Sequence, residues 1–334
     1  MSRAPLAPFF SAAQYIYKSL GEALGAQPVG TVSRIVESSE GQSIILFLVK
    51  GNVPGPTIWT QAAVHGDEHD GIKACADLLG GISPVELRGN LIICPVANPT
   101  AMLEGTNGSP LDGLNLNRVF GRGIEGNSYS IRHGEWLAGK IITHADFLID
   151  LHGGGRWLDV CSFAMVAGDD EEAFNRSMAA LSEVPLNAAF ITRAEEKGML
   201  INKVCKKGIP AVLLENGGGN QWSDAAVQSH VRSVKGILHK LGLYPRHEAA
   251  AASHEHLLIT EIAELRFQKS GLLTFSRQAG EVVRQGEELI RVLSYPELEE
   301  YSLICPIEHG VILSIHAATT VFSDGYAAML GKLS

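Results

Sequence analysis

Four short, predominantly apolar runs constrain this chain more than any other feature. They are TIWTQAAV (57–64), NLIICPV (90–96), ADFLIDL (145–151) and PAVLLE (210–215). Runs of this length without strict polar alternation suit strands buried on both faces. Between and after them lie segments with helical character: DGIKACADLLG (70–80), SYSIRHGEWLAGKIITH (128–144), DDEEAFNRSMAALSE (169–183) and DAAVQSHVRSVKGILHKLG (224–242). The third opens on acidic residues that suit a helix N-terminus, and the fourth opens on a cap at Ser223 or Asp224 and closes on Gly242. Strands alternating with helices predict an α/β fold, with a largely parallel sheet covered on both faces. Ahead of this pattern, residues 29–49 read as a β-hairpin turning at SSEGQ.

The pattern changes at residues 245–256, PRHEAAAASHEH, which read as a linker. Beyond it the chain is β-rich, with turn signals at Ser270-Gly271, Ala279-Gly280, Gln285-Gly286, His309-Gly310 and Asp324-Gly325. At 334 residues two domains are expected, a catalytic one over 1–248 and a smaller all-β one over 249–334. A net charge of −9 without a Lys/Arg cluster excludes a nucleic-acid binder. The five cysteines are scattered, with no CxxC pair, and read as free thiols in a reducing compartment. No run approaches the roughly 20 apolar residues that span a bilayer, and the N-terminus lacks a signal-peptide core. A cytoplasmic protein without membrane association is expected.

Chemistry gathers where the apolar runs end. The first runs into His65-Gly66-Asp67-Glu68, and the third into His152-Gly153-Gly154-Gly155. The fourth closes on Glu215, ahead of Asn216 and three glycines. His65 and Glu68, three apart in a turn or first helical turn, meet on one side. An imidazole and a carboxylate converging from one segment supply two of the three protein ligands of a catalytic zinc site, and His152 is an apt third. Open α/β sheets collect ligands at the carboxyl ends of their strands. Asp150, two residues before His152, either orients a ligand imidazole or caps a backbone turn. Asp67 and His69 read as rim residues. The Gly- and Asn-rich stretch 98–127 is too long for a simple connection and reads as functional.

At these residues the chain resembles the succinylglutamate desuccinylase/aspartoacylase family, a branch of the zinc carboxypeptidase superfamily. The motifs are HGDE (65–68), NP (98–99), SPLDGLNLNRVF (109–120), DLHGGG (150–155) and LLENGG (213–218), in the family's order across about residues 57–220. The resemblance implies a zinc-carboxypeptidase-like mixed, largely parallel sheet. It implies one zinc ion per subunit on His65, Glu68 and His152, and Glu215 as general base. It further implies that Asn117 and Arg118 hold the substrate's carboxylate, a role suited to the planar guanidinium fork. Two departures stand out. Asn107 occupies the loop position where relatives carry an oxyanion-stabilising arginine, with Arg122, Arg132 and Arg156 as possible substitutes. FGRG (120–123) replaces the family's FPG.

Residues 270–293 and 303–330 resemble the two halves of a biotinyl/lipoyl-like β barrel-sandwich. Carriers of that type are modified on a lysine, and none occurs between 270 and 331. Shielding of the active-site mouth, or assembly into a homo-oligomer, is the expected role. The resemblance thus implies a zinc-dependent amidohydrolase that removes an acyl group from a small N-acyl amino acid or related carboxylate. The alternatives are a carboxypeptidase acting on peptides and a non-catalytic ligand-binding member of the family.

Overall fold

The computed structural model describes residues 13–121, 126–192, 198–219, 222–245, 257–259 and 261–333. Arg122, the second half of the FGRG segment and the expected domain boundary at 248/249 lie outside the described residues.

The elements follow in order as β1 (Tyr15–Tyr17), α1 (Leu20–Ala26), β2 (Thr31–Ser39), β3 (Gln42–Lys50), β4 (Val53–Ala62), α2 (His69–Gly81), β5 (Arg88–Cys94), α3 (Pro99–Glu104), α4 (Tyr129–His144), β6 (Phe147–His152), β7 (Leu158–Ala167), α5 (Glu171–Leu181), β8 (Ala188–Thr192), α6 (Leu200–Cys205), β9 (Ala211–Gly218) and α7 (Asp224–Lys240). The hairpin is β2–β3, paired antiparallel from Thr31↔Lys50 to Ser39↔Gln42. The four apolar runs become β4, β5, β6 and β9, and their mutual pairings are all parallel. Antiparallel β3 and β7 flank this parallel centre, so the sheet is mixed.

Two hydrophobic cores cover its faces. Leu78, Phe147, Leu151, Val234 and Ile237 belong to one, beneath α2 and α7. Trp59, Leu148, Leu137, Ile141 and Val204 belong to the other, beneath α4 and α6. Each large side chain fully buried in this way contributes about 1.5–3 kcal/mol. No helix of the described residues is long and apolar enough to cross a membrane. All five cysteines are buried free thiols.

The C-terminal region comprises β10 (Leu257–Ile259), β11 (Ile262–Arg266), β12 (Gly271–Ser276), β13 (Val282–Arg284), β14 (Glu288–Ser294), β15 (Glu300–Ile304), β16 (His309–His316), β17 (Thr320–Val321) and β18 (Tyr326–Lys332). It is all β, and its strands join two sheets. A four-stranded sheet runs β15-β14-β12-β17, while β16, β18, β11 and β13 extend the large sheet. The junction is an antiparallel pairing of β16 with β7, Ser314↔Val160 to His316↔Leu158. A small core of Val160, Phe163, Phe190, Ile259, Val311 and Leu313 seals it. The C-terminal strands are therefore anchored by backbone hydrogen bonds to the sheet that carries β6 and β9.

One buried histidine braces the loop behind the site. His133 on α4 contacts Ser39 Oγ through Nδ1 at 2.8 Å and the Ala97 carbonyl through Nε2 at 2.7 Å. A neutral ring satisfies both, donating from Nε2 and accepting at Nδ1, and burial holds its pKa below the usual histidine range. The unfolded chain then binds a proton that the folded chain refuses. The stabilisation is present above about pH 6.5 and is lost as pH falls through the folded-state value. Denaturant titrations of His133→Phe are expected to show a shallower loss of stability below pH 6.5 than the wild type; identical slopes would assign the acid sensitivity elsewhere.

Candidate metal centre

The carboxyl ends of β4, β6 and β9 lie side by side, with Ala62 opposite Leu151 and His152 opposite Glu215. His152 is the last residue of β6. Glu215 lies within β9, which runs on through Gly218, so the first of the following glycines are strand rather than turn. Beyond β4 the chain turns sharply through Ala63, a non-glycine residue at φ 53°. That left-handed conformation costs of the order of 1–3 kcal/mol and is retained where surrounding bonds over-determine it. Here Asn98 supplies two such bonds, its N–H to the Ala63 carbonyl at 3.0 Å and its Nδ2 to the Val64 carbonyl at 3.2 Å. Gly66 then passes so close to α3 that a Cβ would fall 1.9 Å from the Ala101 carbonyl carbon. Only glycine fits there, which explains the residue between His65 and Asp67.

Glu68 is the N-cap of α2, yet its side chain makes no capping bond. Its carboxylate turns to the two imidazoles instead. His65 Nδ1 is 2.8 Å from Glu68 Oε1, and His152 Nδ1 is 3.0 Å from Glu68 Oε2. One ligand atom from each of His65, Glu68 and His152 lies within 4.8 Å of the others, and all three residues are buried. Behind them, Asn115 Oδ1 faces His65 Nε2 at 3.0 Å and Asp150 Oδ2 faces His152 Nε2 at 3.3 Å. An acceptor on the outer nitrogen is what orients a metal-bound imidazole. Asp150 is itself held by Gln61 Nε2 at 3.0 Å.

The donor set fits a divalent cation. Two imidazoles and a carboxylate make a catalytic-type tridentate cradle. Glu68 Oε2 and His152 Nε2 are buried without an aligned hydrogen bond, although each has an ionisable neighbour within 3.3 Å. Despite opposing burial, His65 and His152 hold the Glu68 carboxyl down to about 2. Burial likewise opposes charging of His152, yet Asp150 and Glu68 raise its pKa well above the ordinary value. These carboxylates create a demand for positive charge that a dication meets. Burial pushes Glu215 the other way, up to about 8; Glu68 and Asp150 reinforce that rise, while His152 and Arg118 oppose it.

The stretch 98–127 is pinned at both ends. Ser109 Oγ contacts Thr100 Oγ1 at 3.0 Å, and Asp112 caps α4 by accepting from the Ser130 N–H at 2.7 Å. Between these anchors, a single helical turn (Leu116–Arg118) buries Asn117 and exposes Arg118. Asn117 Oδ1 is already occupied by the Leu200 N–H at 2.9 Å, so its amide nitrogen is the group left to offer a ligand. Desolvation lowers the Arg118 pKa, against the opposing charges of Glu215, Glu264 and Glu68.

Asn107 Oδ1 accepts from Asn115 Nδ2 at 2.9 Å, which links it through Asn115 to His65. Of the arginines that might replace a cation there, Arg132 is engaged on the surface by Glu40 and Asn127. Arg156 reaches the loop of Asn107 itself, donating from Nη2 to the Gly105 carbonyl at 3.1 Å.

A cleft of about 290 Å³ opens beside the cradle. Glu68, Asp67 and Asn107 line one part, while Phe267, Phe322 and Tyr326 come from the C-terminal region. Asp67 is buried rather than part of a solvated rim. Asn115, Gln61 and these aromatic residues were not singled out from sequence. Asn115 was open to detection as one of the asparagines in GLNLNR; the aromatic residues carry no local signal.

A buried His-Glu-His cradle at the carboxyl ends of the parallel central strands, flanked by Glu215, defines a candidate metal centre of the catalytic type. The chain belongs to the succinylglutamate desuccinylase/aspartoacylase family, whose catalytic-domain model matches residues 54–241. It is 28% identical over 287 residues to an N-alpha-acetyl-L-2,4-diaminobutyric acid deacetylase of Halomonas elongata, covering 82% of this chain and 80% of that protein. Among solved structures, a succinylglutamate desuccinylase/aspartoacylase from Rhodobacter sphaeroides matches with a TM-score of 0.77 at 23% identity, over 88% of this chain and 90% of that one. The product-bound ectoine utilization protein EutE (DoeB) from Ruegeria pomeroyi matches with a TM-score of 0.77 at 24% identity, over 92% and 97%. Both likenesses establish the fold.

Proposed function

We propose that this protein is a zinc-dependent amidohydrolase that removes the acyl group from a small N-acyl amino acid. The observation that carries this reading is the His65, Glu68 and His152 cradle, with Glu215 in register beside His152. The diaminobutyrate-deacetylating relative supports the amide bond and the small substrate. Zinc bound to this cradle supplies Lewis-acid polarisation of a carbonyl and acidification of water. Glu215 accepts the proton of the attacking water and returns it to the departing amine, general base and then general acid. Burial lifts its pKa to about 8 in the metal-free cradle, and a dication alongside would lower that toward neutrality, where the group both takes and gives a proton. Arg118 pairs with the substrate carboxylate, assisted by the amide nitrogen of Asn117.

We assign residues 1–248 to the hydrolase unit and 249–334 to a biotinyl/lipoyl-like β unit that narrows its mouth. A cleft of about 290 Å³ walled in part by that unit favours small molecules over peptide chains. Zinc-loaded protein is expected to release the acyl group from at least one of a panel of acetyl, succinyl and formyl amino acids. Cleavage confined to peptides would replace the deacylase reading with a carboxypeptidase one.

A further inference from the structure

The two halves of the scissile amide meet different surroundings. Glu215, which returns a proton to the departing amine, and Arg118, which takes the carboxylate, are not among the described residues lining the cleft; Glu68 of the cradle and Gly153, the neighbour of His152, are. On the deacylase reading, the amino-acid half lies toward Glu215 and Arg118, and the acyl half extends from the cradle into the cleft. Gly154 and Gly155 give that half a floor of bare backbone. A Cβ would fall 2.0 Å from the Leu158 carbonyl oxygen at Gly154 and 2.5 Å from Asp67 Oδ2 at Gly155, so no side chain fits at either position.

The wall beyond this floor is made of rings. Trp157 and Phe322, 42% and 57% exposed, meet edge to face with centroids 6.3 Å apart. Trp157 also stacks on His316, against which Phe267 packs edge-on at 5.0 Å. The wall is preformed, since the Trp157 carbonyl accepts the Ala317 N–H at 2.8 Å, next to the β7–β16 pairing. The polar side chains of the lining each have partners within the protein. The Asp67 carboxylate is covered by Gly155 and accepts the Arg156 N–H at 3.0 Å, and Glu68 faces both imidazoles. The Tyr326 hydroxyl pairs with Ser314 Oγ at 2.9 Å, His316 Nε2 is turned to the Thr320 carbonyl at 3.0 Å, and Asn107 is held by Asn115. No lysine or arginine is among the described lining residues.

A charged acyl group would lose hydration in such a space without gaining a counter-charge. A carboxylate meets Asp67 and Glu68, while an ammonium finds the first covered by backbone and the second shared by two imidazoles. An apolar group instead packs on the exposed rings and removes them from water. Contiguous apolar surface continuous with a catalytic-type centre is where such a group binds. We propose that Trp157 and Phe322 form an apolar acyl subsite, so that the preferred substrate carries an acyl group larger and more apolar than acetyl, such as butyryl or phenylacetyl. This rests on the deacylase reading, and the test separates the two.

With metal-loaded full-length protein, kcat/KM is compared across acetyl, butyryl, succinyl and phenylacetyl derivatives of one amino acid at a time, taken in turn from alanine, aspartate and ornithine. Butyryl is succinyl with a methyl in place of the carboxylate, so that pair isolates the charge. Butyryl is expected to exceed both acetyl and succinyl by roughly tenfold, at about fourfold for each methylene buried, and phenylacetyl to exceed acetyl by more. Phe322→Ala, at an exposed position, is expected to lower the butyryl-to-acetyl and phenylacetyl-to-acetyl ratios several-fold; Trp157→Leu is expected to do the same and carries the test if Phe322→Ala does not fold. Equal or better turnover of the acetyl or succinyl derivatives overturns the subsite, as do ratios unchanged in both variants. N-acetylleucine against N-acetylalanine reads the other half of the substrate. Ring variants that lower a leucine preference and leave the acyl ratios alone would put the amino-acid side chain in the cleft and overturn the acyl assignment. Calorimetric binding of phenylacetate and butyrate against acetate reads the subsite without turnover. A preference there that depends on Phe322, with no hydrolysis of any N-acyl amino acid, sinks the deacylase reading and keeps the apolar subsite. Hydrolysis without an acyl preference does the reverse.

Discussion

Replacing Glu215 with Gln is expected to lower kcat by about 10²- to 10⁴-fold, the range for loss of a positioned general base, while the metal content stays unchanged. Gln preserves the volume and one acceptor oxygen but takes up no proton. Glu215 stands outside the three-residue cradle, so its loss removes no ligand. Its carboxyl is lifted to about 8 first by burial, because a dry environment disfavours the charged form. A dication bound alongside would draw that value down and bring the carboxylate form within reach at neutral pH. Paired measurements of kcat and of metal by elemental analysis check the prediction. Undiminished hydrolysis in Glu215→Gln would falsify its role as the base, and loss of metal would make it a ligand instead.

The second large effect is expected from metal removal. Chelation should abolish turnover and also lower the thermal midpoint, because the cradle's carboxylates call for a positive charge that a dication would supply. His65, Glu68 and His152 converge, and Asp150 adds a further carboxylate 3.3 Å from His152 Nε2. Without a dication, that charge balance falls to imidazole protons in a buried site. A ligand present at about 1,000 times its Kd stabilises the folded state by about 4 kcal/mol, so the midpoint should rise with added zinc. Calorimetry of the chelated and reconstituted protein reads this directly. A midpoint indifferent to zinc, with activity retained after chelation, would remove the metal from both structure and mechanism.

The two predictions draw on different kinds of information. His65 and Glu68 were legible because three-residue spacing in a turn brings two side chains together wherever that turn lies. The buried strands were legible because an apolar run of this length has few other uses, and β4, β5, β6 and β9 form where the runs stand. β7 and β8 were missed. LDVCSFAMVA mixes polar and apolar residues, and its pairing with β9 shifts register between Val160 and Phe163, which blurs any period of two. Ala188–Thr192 opens on two alanines and carries little pattern of its own. Asp67 read as a rim residue because spacing alone does not report burial, and its concealment depends on the chain around Gly155 and Arg156.

By itself, then, the sequence determined the parallel sheet centre, the segment that offers His65 with Glu68, and the candidacy of His152 and Glu215, since each depends on contacts a few residues long. Tertiary structure alone decided which of these side chains meet. The in-register pairing of β6 with β9 places Glu215 beside His152 across more than sixty residues of chain. The pairing of β16 with β7 carries Phe322 to Trp157 and the Asp67 cleft. Hydrogen-bond register between distant strands is a long-range property, and no local periodicity encodes the rings it assembles beside the His-Glu-His cradle.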